Sequence, residues 1–115
     1  MKYRVIFSPE AEEQLAALYN HIADAASPGI AKRYTDGIVS YCENLHIFPI
    51  RGIVREDVRP GLRITNYKKR TAIAFEVDEL SGRVSILGLF YGGQDYETFL
   101  QDDQGAEDEN NTPEE

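Results

Sequence analysis

The dipeptide Ser-Pro occurs at residues 8–9 and again at 27–28, and each copy opens a stretch with helical hydrophobic periodicity. Serine offers a hydroxyl to a free backbone N–H of the first turn, and proline fills the first helical position, where its missing donor costs nothing. After Ser8-Pro9, the residues Ala11, Leu15, Leu18 and Ile22 recur at spacings of four, three and four, while Glu12, Glu13, Asn20 and Asp24 fall off that line. After Ser27-Pro28-Gly29, a second stripe runs through Ile30, Tyr34, Ile38, Tyr41 and Leu45 and stops before Pro49. Two such helices joined by a tight link make a helical hairpin, and each presents one apolar face that another layer has to cover.

That layer is a sheet. Tyr3 to Phe7 is short, alternating and rich in β-formers, and Ser8-Pro9 ends it. Beyond the hairpin, Pro49 to Gly61 contains Pro49, Gly52, Pro60 and Gly61 without sustained periodicity and is expected to be a connecting loop. Leu62 to Tyr67, Thr71 to Val77 and Arg83 to Phe90 then follow as three β-rich runs separated by turn segments, the pattern of an antiparallel meander. Ile73, Phe75 and Val77 share one face of its middle strand and small Ala72 and Ala74 the other, so one face is suited to receive the helices. The expected architecture is α+β: an N-terminal strand, a two-helix hairpin and a three-stranded antiparallel meander. With 115 residues, 42% of them hydrophobic, this is one domain with one core. It is expected to span residues 1–100, with a short helix at Asp95–Leu100, and residues 101–115, apolar only at Ala106, form an acidic disordered tail.

No apolar run approaches the length of a membrane span, and the one before Ser8-Pro9 is too short for a signal peptide, so a cytoplasmic location without membrane partners is expected. The single cysteine, Cys42, excludes an internal disulfide, and beside the second stripe it is expected to be half-buried packing without a nucleophilic role. His21 falls on the exposed side of the first helix, and His46 lies where an imidazolium favourably faces a helix C-terminus. Neither suggests a metal ligand, and no metal or other cofactor is expected.

Charge is distributed unevenly. The net charge is −8, but residues 101–115 hold seven acids and no base, which leaves 13 acids against 12 bases in residues 1–100. Within that neutral body, residues 51–70 carry Arg51, Arg55, Arg59, Arg63, Lys68, Lys69 and Arg70 against Glu56 and Asp57. Such a segment is either an ordinary solvated surface or a site for an anionic partner. Tyr19, Tyr34 and Tyr41 on the hairpin can serve either as core-edge aromatics or as anchors in a groove for a partner helix or extended segment.

The order of elements and the residues at their joints resemble the RelE/ParE superfamily of toxins from type II toxin–antitoxin systems. The carriers are Val5-Ile6-Phe7-Ser8-Pro9-Glu10-Ala11 leading into Leu15 and Leu18, then Leu45, Pro49 and Gly52, then Val58-Arg59-Pro60-Gly61-Leu62-Arg63, and finally Ile86 to Tyr96. The closing stretch is similar to the ParE branch, which often has a His-Gly pair and an aspartate after the last strand. Here Tyr91 stands in place of that histidine, followed by Gly92 and Asp95. Membership of the ParE branch implies a protein that poisons DNA gyrase by binding and is neutralised by a cognate, ParD-like antitoxin wrapping the toxin. The RelE branch implies instead a ribonuclease acting on messenger RNA at the ribosome, and a third reading is a non-toxic protein that keeps only its partner.

The candidate residues divide accordingly. Gyrase binding without catalysis falls to the cations Arg59, Arg63, Lys68, Lys69 and Arg70, and antitoxin binding to Leu15, Leu18, Tyr19, Tyr34 and Tyr41. A metal-free ribonuclease needs a base, an acid and phosphate-binding cations, for which Arg63, Arg83 and Tyr91 are the candidates. No histidine or carboxylate in the sequence has a comparable claim to be the base, which favours binding over catalysis. Whether the basic segment contacts nucleic acid directly is left open by the residues alone.

Overall fold

The computed structural model describes residues 3–92. Strand β1 (Arg4–Phe7) leads into helix α1 (Pro9–Ala25) and helix α2 (Pro28–Glu43), followed by a 3-10 turn at Asn44–His46. Strands β2 (Ile53–Val54), β3 (Arg63–Tyr67), β4 (Thr71–Asp78) and β5 (Arg83–Tyr91) complete the chain. They form one mixed sheet in the order β1-β5-β4-β3-β2, with β1 parallel to β5 and all other pairs antiparallel. This is the α+β fold expected from the sequence, with the first strand completing the meander at one edge. Among the described residues no helix is long and apolar enough to cross a membrane.

Both Ser-Pro signals act as helix starts. Ser8 Oγ accepts from Ala11 N at 3.0 Å and Ser27 Oγ from Ile30 N at 3.1 Å. Ser8 does more than cap: its N–H donates to the Ile86 carbonyl at 2.9 Å and its hydroxyl to the Leu87 carbonyl at 3.2 Å. One residue therefore ends β1, begins α1 and fastens both to β5.

The helices cover one sheet face. Ala11 and Leu18 of α1 and Ile38, Cys42 and Leu45 pack with Ile73, Phe75, Val84, Ile86 and Leu89, while Leu15 and Ile22 lie at the margin. The buried line on α2 is Ala31, Thr35, Ile38 and Cys42; of the expected stripe Ile38 and Leu45 are fully buried and Tyr34 and Tyr41 pack at the core margin, whereas Ile30 is 45% exposed. Both registers have helical spacing, and large side chains mark one of them. Small Ala31, and Thr35 with its hydroxyl donated to the Ala31 carbonyl at 3.0 Å, occupy the other. Tyr34 and Tyr41 flank that line with their phenols directed at Thr71 and Thr65, each at 2.8 Å.

The segment 49–61 is more than a connecting loop. Gly52 adopts φ +81°, which L side chains rarely take, and a Cβ there would collide with the Ile64 carbonyl oxygen. This close approach lays Ile53–Val54 against Ile64–Arg63 as β2. Two residues are too few to show a period in sequence. Downstream, Val58 and Leu62 fold over the second sheet face onto Ile64, Ala74 and Phe90. That face therefore has a core of its own.

A register shift between Ala74 and Phe75 moves their β5 partners from Gly88 to Ile86 and leaves Leu87 as the extra residue. The bulge lets Leu87 join Phe90 on the second face while Leu89 and Ile86 serve the first. Cys42, expected to be half-buried, has no exposed surface, and burial with the nearby Glu43 carboxylate pushes its thiol up to about 12. The expected helix at Asp95–Leu100 and the tail at 101–115 lie outside the described residues.

Candidate functional site

The β3–β4 hairpin turns through Tyr67-Lys68-Lys69-Arg70, closed by Arg70 N donating to Tyr67 O at 3.1 Å. Lys68 and Lys69 have φ of +53° and +60°, which defines the mirror-image turn that suits the right-handed twist of a hairpin. Such a turn normally uses Asn-Gly, because a Cβ in the left-handed region costs about 1–2 kcal/mol per residue. Two lysines here place two ammonium groups at the tip of the sheet at the expense of stability. Arg70 adds a third cation, and its carbonyl accepts from Gly92 N at 2.8 Å, so the end of β5 lies alongside.

Behind the turn stands a row of tyrosines. The Tyr67 ring lies 5.2 Å from Tyr34 and 6.0 Å from Tyr41, both edge-on. Tyr34 in turn meets Tyr91 edge-on at 6.1 Å, and His21 of α1 lies 5.8 Å from Tyr91. Cations cap the row: Arg51 sits 5.5 Å from the Tyr41 ring centre and Lys68 5.6 Å from that of Tyr67. Burial raises the Tyr34 phenol, the hydrogen bond with Thr71 opposes this, Tyr91 and Tyr67 add to it, and Arg70 lowers it. The net shift is upward, so the phenol stays neutral and its bond to Thr71 pins α2 to the sheet. Close packing requires Gly37, because a Cβ there would collide with the Tyr67 phenol oxygen.

A groove of about 380 Å³ lies between α1 and the end of β5, lined by Gln14, Ala17, Leu18, His21, Leu89 and Tyr91. Among the described residues β1 pairs with β5 only as far as Ile86, and the groove follows β5 beyond that point. Ser8 takes up the Leu87 carbonyl, and Gln14 Oε1 accepts from Leu89 N at 2.8 Å. This stretch of β5 is thus partly satisfied by side chains, and it keeps a mixed apolar and polar floor.

The expected cationic cluster separates in space. Lys68, Lys69 and Arg70 stay together at the hairpin tip. Arg63 lies in a shallow depression with Ile50, Val54, Glu56, Val77 and Glu79, and its guanidinium donates to the Arg51 carbonyl at 3.2 Å. Arg59 is ion-paired at 3.5 Å with Glu76. The ribonuclease candidates are also dispersed: Tyr91 and Arg83 are the two ends of β5, about 26 Å apart at ~3.3 Å per residue. Arg83 faces Asp78 at 3.9 Å, and Arg63 is two strands away from β5. Of the antitoxin candidates, Leu18 floors the groove, Leu15 packs on the helix-side core, and Tyr34 and Tyr41 belong to the tyrosine row. Tyr19 is half-buried, within electrostatic reach of Lys32 on α2.

Two features escaped the sequence analysis. His21 is at the surface as expected, yet its ring packs against that of Tyr91 at a 60° tilt, a contact across more than half of the chain that carries no local signal. The second is the series Ile47, Phe48, Ile50, Ile53 and Val54, between 47% and 69% exposed around β2, which is an edge strand among the described residues. Five large apolar residues within eight positions were visible, but without a period they gave no face. His46, by contrast, is where expected, its Nδ1 bonded to the Glu43 carbonyl at 2.6 Å at the end of α2.

Comparison with known proteins decides the family. Residues 5–96 match the model of the ParE toxin of type II toxin–antitoxin systems, parDE. The chain belongs to the ParE toxin family. Two solved structures share the fold of this ParE-family chain. One is the chromosomal ParDE system of P. aeruginosa, with a TM-score of 0.68 and 21% identity over 79% of this chain and 97% of that one. The other is the RelBE2 toxin–antitoxin complex of Mycobacterium tuberculosis, with a TM-score of 0.59 and 18% identity over 79% and 99%. No curated protein sequence matches the chain. The RelE/ParE resemblance read from the joints is therefore established at the level of family and fold.

Proposed function

We propose that this ParE-family protein acts in the cytoplasm by binding DNA gyrase through the hairpin tip, and that a cognate antitoxin neutralises it. The observation that carries the reading is the strained turn, which holds Lys68, Lys69 and Arg70 together in front of an aromatic row. A cationic tip can hold anionic groups of a protein–DNA target without any acid–base chemistry. Arg59 and Arg63 support the surrounding structure through Glu76 and the Arg51 carbonyl. Purified protein is expected to inhibit gyrase supercoiling. Lys68→Glu with Lys69→Glu and Arg70→Glu is expected to weaken inhibition at least tenfold while leaving the fold and antitoxin binding intact. Unchanged inhibition by that variant rejects the tip as the contact.

The antitoxin, on this proposal, covers the α1–β5 groove, with Leu15, Leu18 and Tyr19 of α1 contributing. Tyr34 and Tyr41 act indirectly, by keeping α2 on the sheet. Tyr19→Ala is expected to weaken antitoxin binding by about 1–2 kcal/mol in calorimetric titration. The RelE-like ribonuclease is kept as the second reading because His21 lies beside Tyr91, placing an imidazole next to a phenol at the groove. Ribosome-dependent cleavage of message, lost in His21→Ala and Tyr91→Phe and with no effect on gyrase, would select it. A protein that binds its antitoxin but affects neither gyrase nor message is the non-toxic relic.

A further inference from the structure

Most cations of the described residues are held in one of two ways. Lys32, Arg55, Arg59 and Arg83 have carboxylate partners in Asp36, Asp57, Glu76 and Asp78, and Arg63 donates to a backbone carbonyl. Arg51, Lys68, Lys69 and Arg70 are exposed and take part in none of those ion pairs. They lie against tyrosines instead. Arg51 sits 5.5 Å from the centre of the Tyr41 ring and Lys68 5.6 Å from that of Tyr67, and Arg70 is within electrostatic reach of the Tyr34 phenol. Tyr41 and Tyr34 are themselves 6.0 and 5.2 Å from Tyr67, so three rings carry the cations in one line from the β2 side of the sheet to the hairpin turn. A carboxylate positions a cation and cancels its charge, whereas a neutral ring positions it and leaves the charge in place.

Resting on the reading of the hairpin tip as the contact surface, we propose that Arg51, Lys68, Lys69 and Arg70 bind the phosphate backbone of duplex DNA directly, so that the DNA held by the enzyme, not the enzyme's own surface, is what the cations touch. Duplex DNA carries one charge about every 1.7 Å of its axis, so a line built from steps of 5.5, 6.0 and 5.6 Å faces several phosphates at once. The contact is to the backbone alone. Thr71 pairs with both Tyr67 and Tyr91, so the sheet extends to the turn itself, and the cations stand on a broad end and not on an arm that enters a groove. Without entry the base edges stay out of reach and sequence is not read. Single strands are disfavoured for another reason. They are held by bases stacking on open aromatic faces, and here the Tyr41 and Tyr67 rings are half-buried with Arg51 and Lys68 already against them. The strained backbone at Lys68 and Lys69 fits this use, because it fixes the directions in which both side chains leave the turn before the polyanion arrives.

The test titrates the full chain, without gyrase, into a fluorescein-labelled DNA duplex of about 20 base pairs and mixed sequence, and follows anisotropy between about 50 and 200 mM salt. Binding is expected, with log K falling against log salt at a slope of about −3 to −4, near −0.9 for each phosphate that the four cations neutralise. Lys68→Asn with Lys69→Gly supplies residues that a left-handed turn accepts, so the hairpin is kept. That variant is expected to weaken binding at least tenfold at the lower salt and to reduce the slope by about 2. Arg51→Ala is expected to reduce it by about 1. Arg83→Ala removes the same charge from the opposite end of β5 and is expected to leave the slope unchanged. Equal losses in Arg51→Ala and Arg83→Ala report net charge alone and overturn the surface, as does the absence of binding at the lowest salt. Single-stranded DNA or duplex RNA of the same length bound more tightly than duplex DNA overturns the assignment of the ligand. Gyrase enters only a separate supercoiling assay. Inhibition that persists without duplex binding overturns the DNA contact and leaves the proposed function standing, whereas duplex binding without inhibition does the reverse.

Discussion

Replacing the two lysines of the β3–β4 turn by the residues that such a turn favours, Lys68→Asn with Lys69→Gly, is expected to stabilise the protein. Both positions have φ above +50°, where each Cβ-bearing residue costs about 1–2 kcal/mol. Asparagine relieves part of that cost at position 68, and glycine all of it at position 69. Against this, glycine makes the unfolded chain freer by about 0.5–1 kcal/mol. The contact of Lys68 with the Tyr67 ring at 5.6 Å is also lost, worth about 0.5 kcal/mol at an exposed site. The balance is a gain of about 1 kcal/mol, or roughly 4–8 °C in Tm for a domain of this size. Urea unfolding followed by circular dichroism measures it, with the midpoint expected to rise at constant m. A midpoint that falls or stays put would refute the reasoning, because the turn would then carry no strain that its lysines impose. On the proposed function the same variant is expected to lose gyrase inhibition, because the two ammonium groups leave with the strained side chains.

Gly37→Ala places a methyl against the Tyr67 phenol and is expected to cost about 1–3 kcal/mol in urea unfolding, forcing α2 away from β3. Gly52→Ala meets both a left-handed backbone and the Ile64 carbonyl, and hydrogen exchange is expected to show β2 detached while β4 and β5 stay protected. The Cys42 thiol is expected to react with a thiol reagent only after unfolding. Its pH dependence has a definite sign: the folded pKa, about 12, lies above the ordinary unfolded value of about 8.5, so the native state holds the proton longer. Its contribution is fully present below about pH 8.5 and declines as pH rises toward 12, and the difference between wild type and Cys42→Ala isolates it from the tyrosines and lysines that titrate in the same range.

The helices and strands were legible because each rests on local chemistry. Ser8 and Ser27 declare helix starts through hydroxyls that do cap, and the alternation of Ile73, Phe75 and Val77 names the face that meets the helices. What was not legible depends on partners distant in sequence. On α2 hydrophobic size marks Ile30, Tyr34 and Tyr41 along with Ile38, whereas the interface with α1 and the sheet buries Ala31, Thr35 and Cys42 along with Ile38. Strand β2 exists because Gly52 lets the backbone reach the Ile64 carbonyl, a contact with no trace in the two residues that pair. The Leu87 bulge likewise follows from two cores needing side chains from one strand.

The candidate site shows the same division more sharply. The run Lys68-Lys69-Arg70 is local and survives as a cluster, because a hairpin turn keeps consecutive residues together. Arg59 and Arg63 belong to the same charge excess in sequence, yet a strand between them and the turn carries them away, and each takes up a structural partner. Summed charge over a segment therefore overstates a site whenever the segment contains a strand. Conversely, Tyr34, Tyr41, Tyr67 and Tyr91 come from three elements and converge on one row, with His21 at its end, although nothing in their spacing relates them. The His21 imidazole on α1 meets the Tyr91 ring across the groove, so the end of β5 has an imidazole beside a phenol although no local motif pairs the two residues.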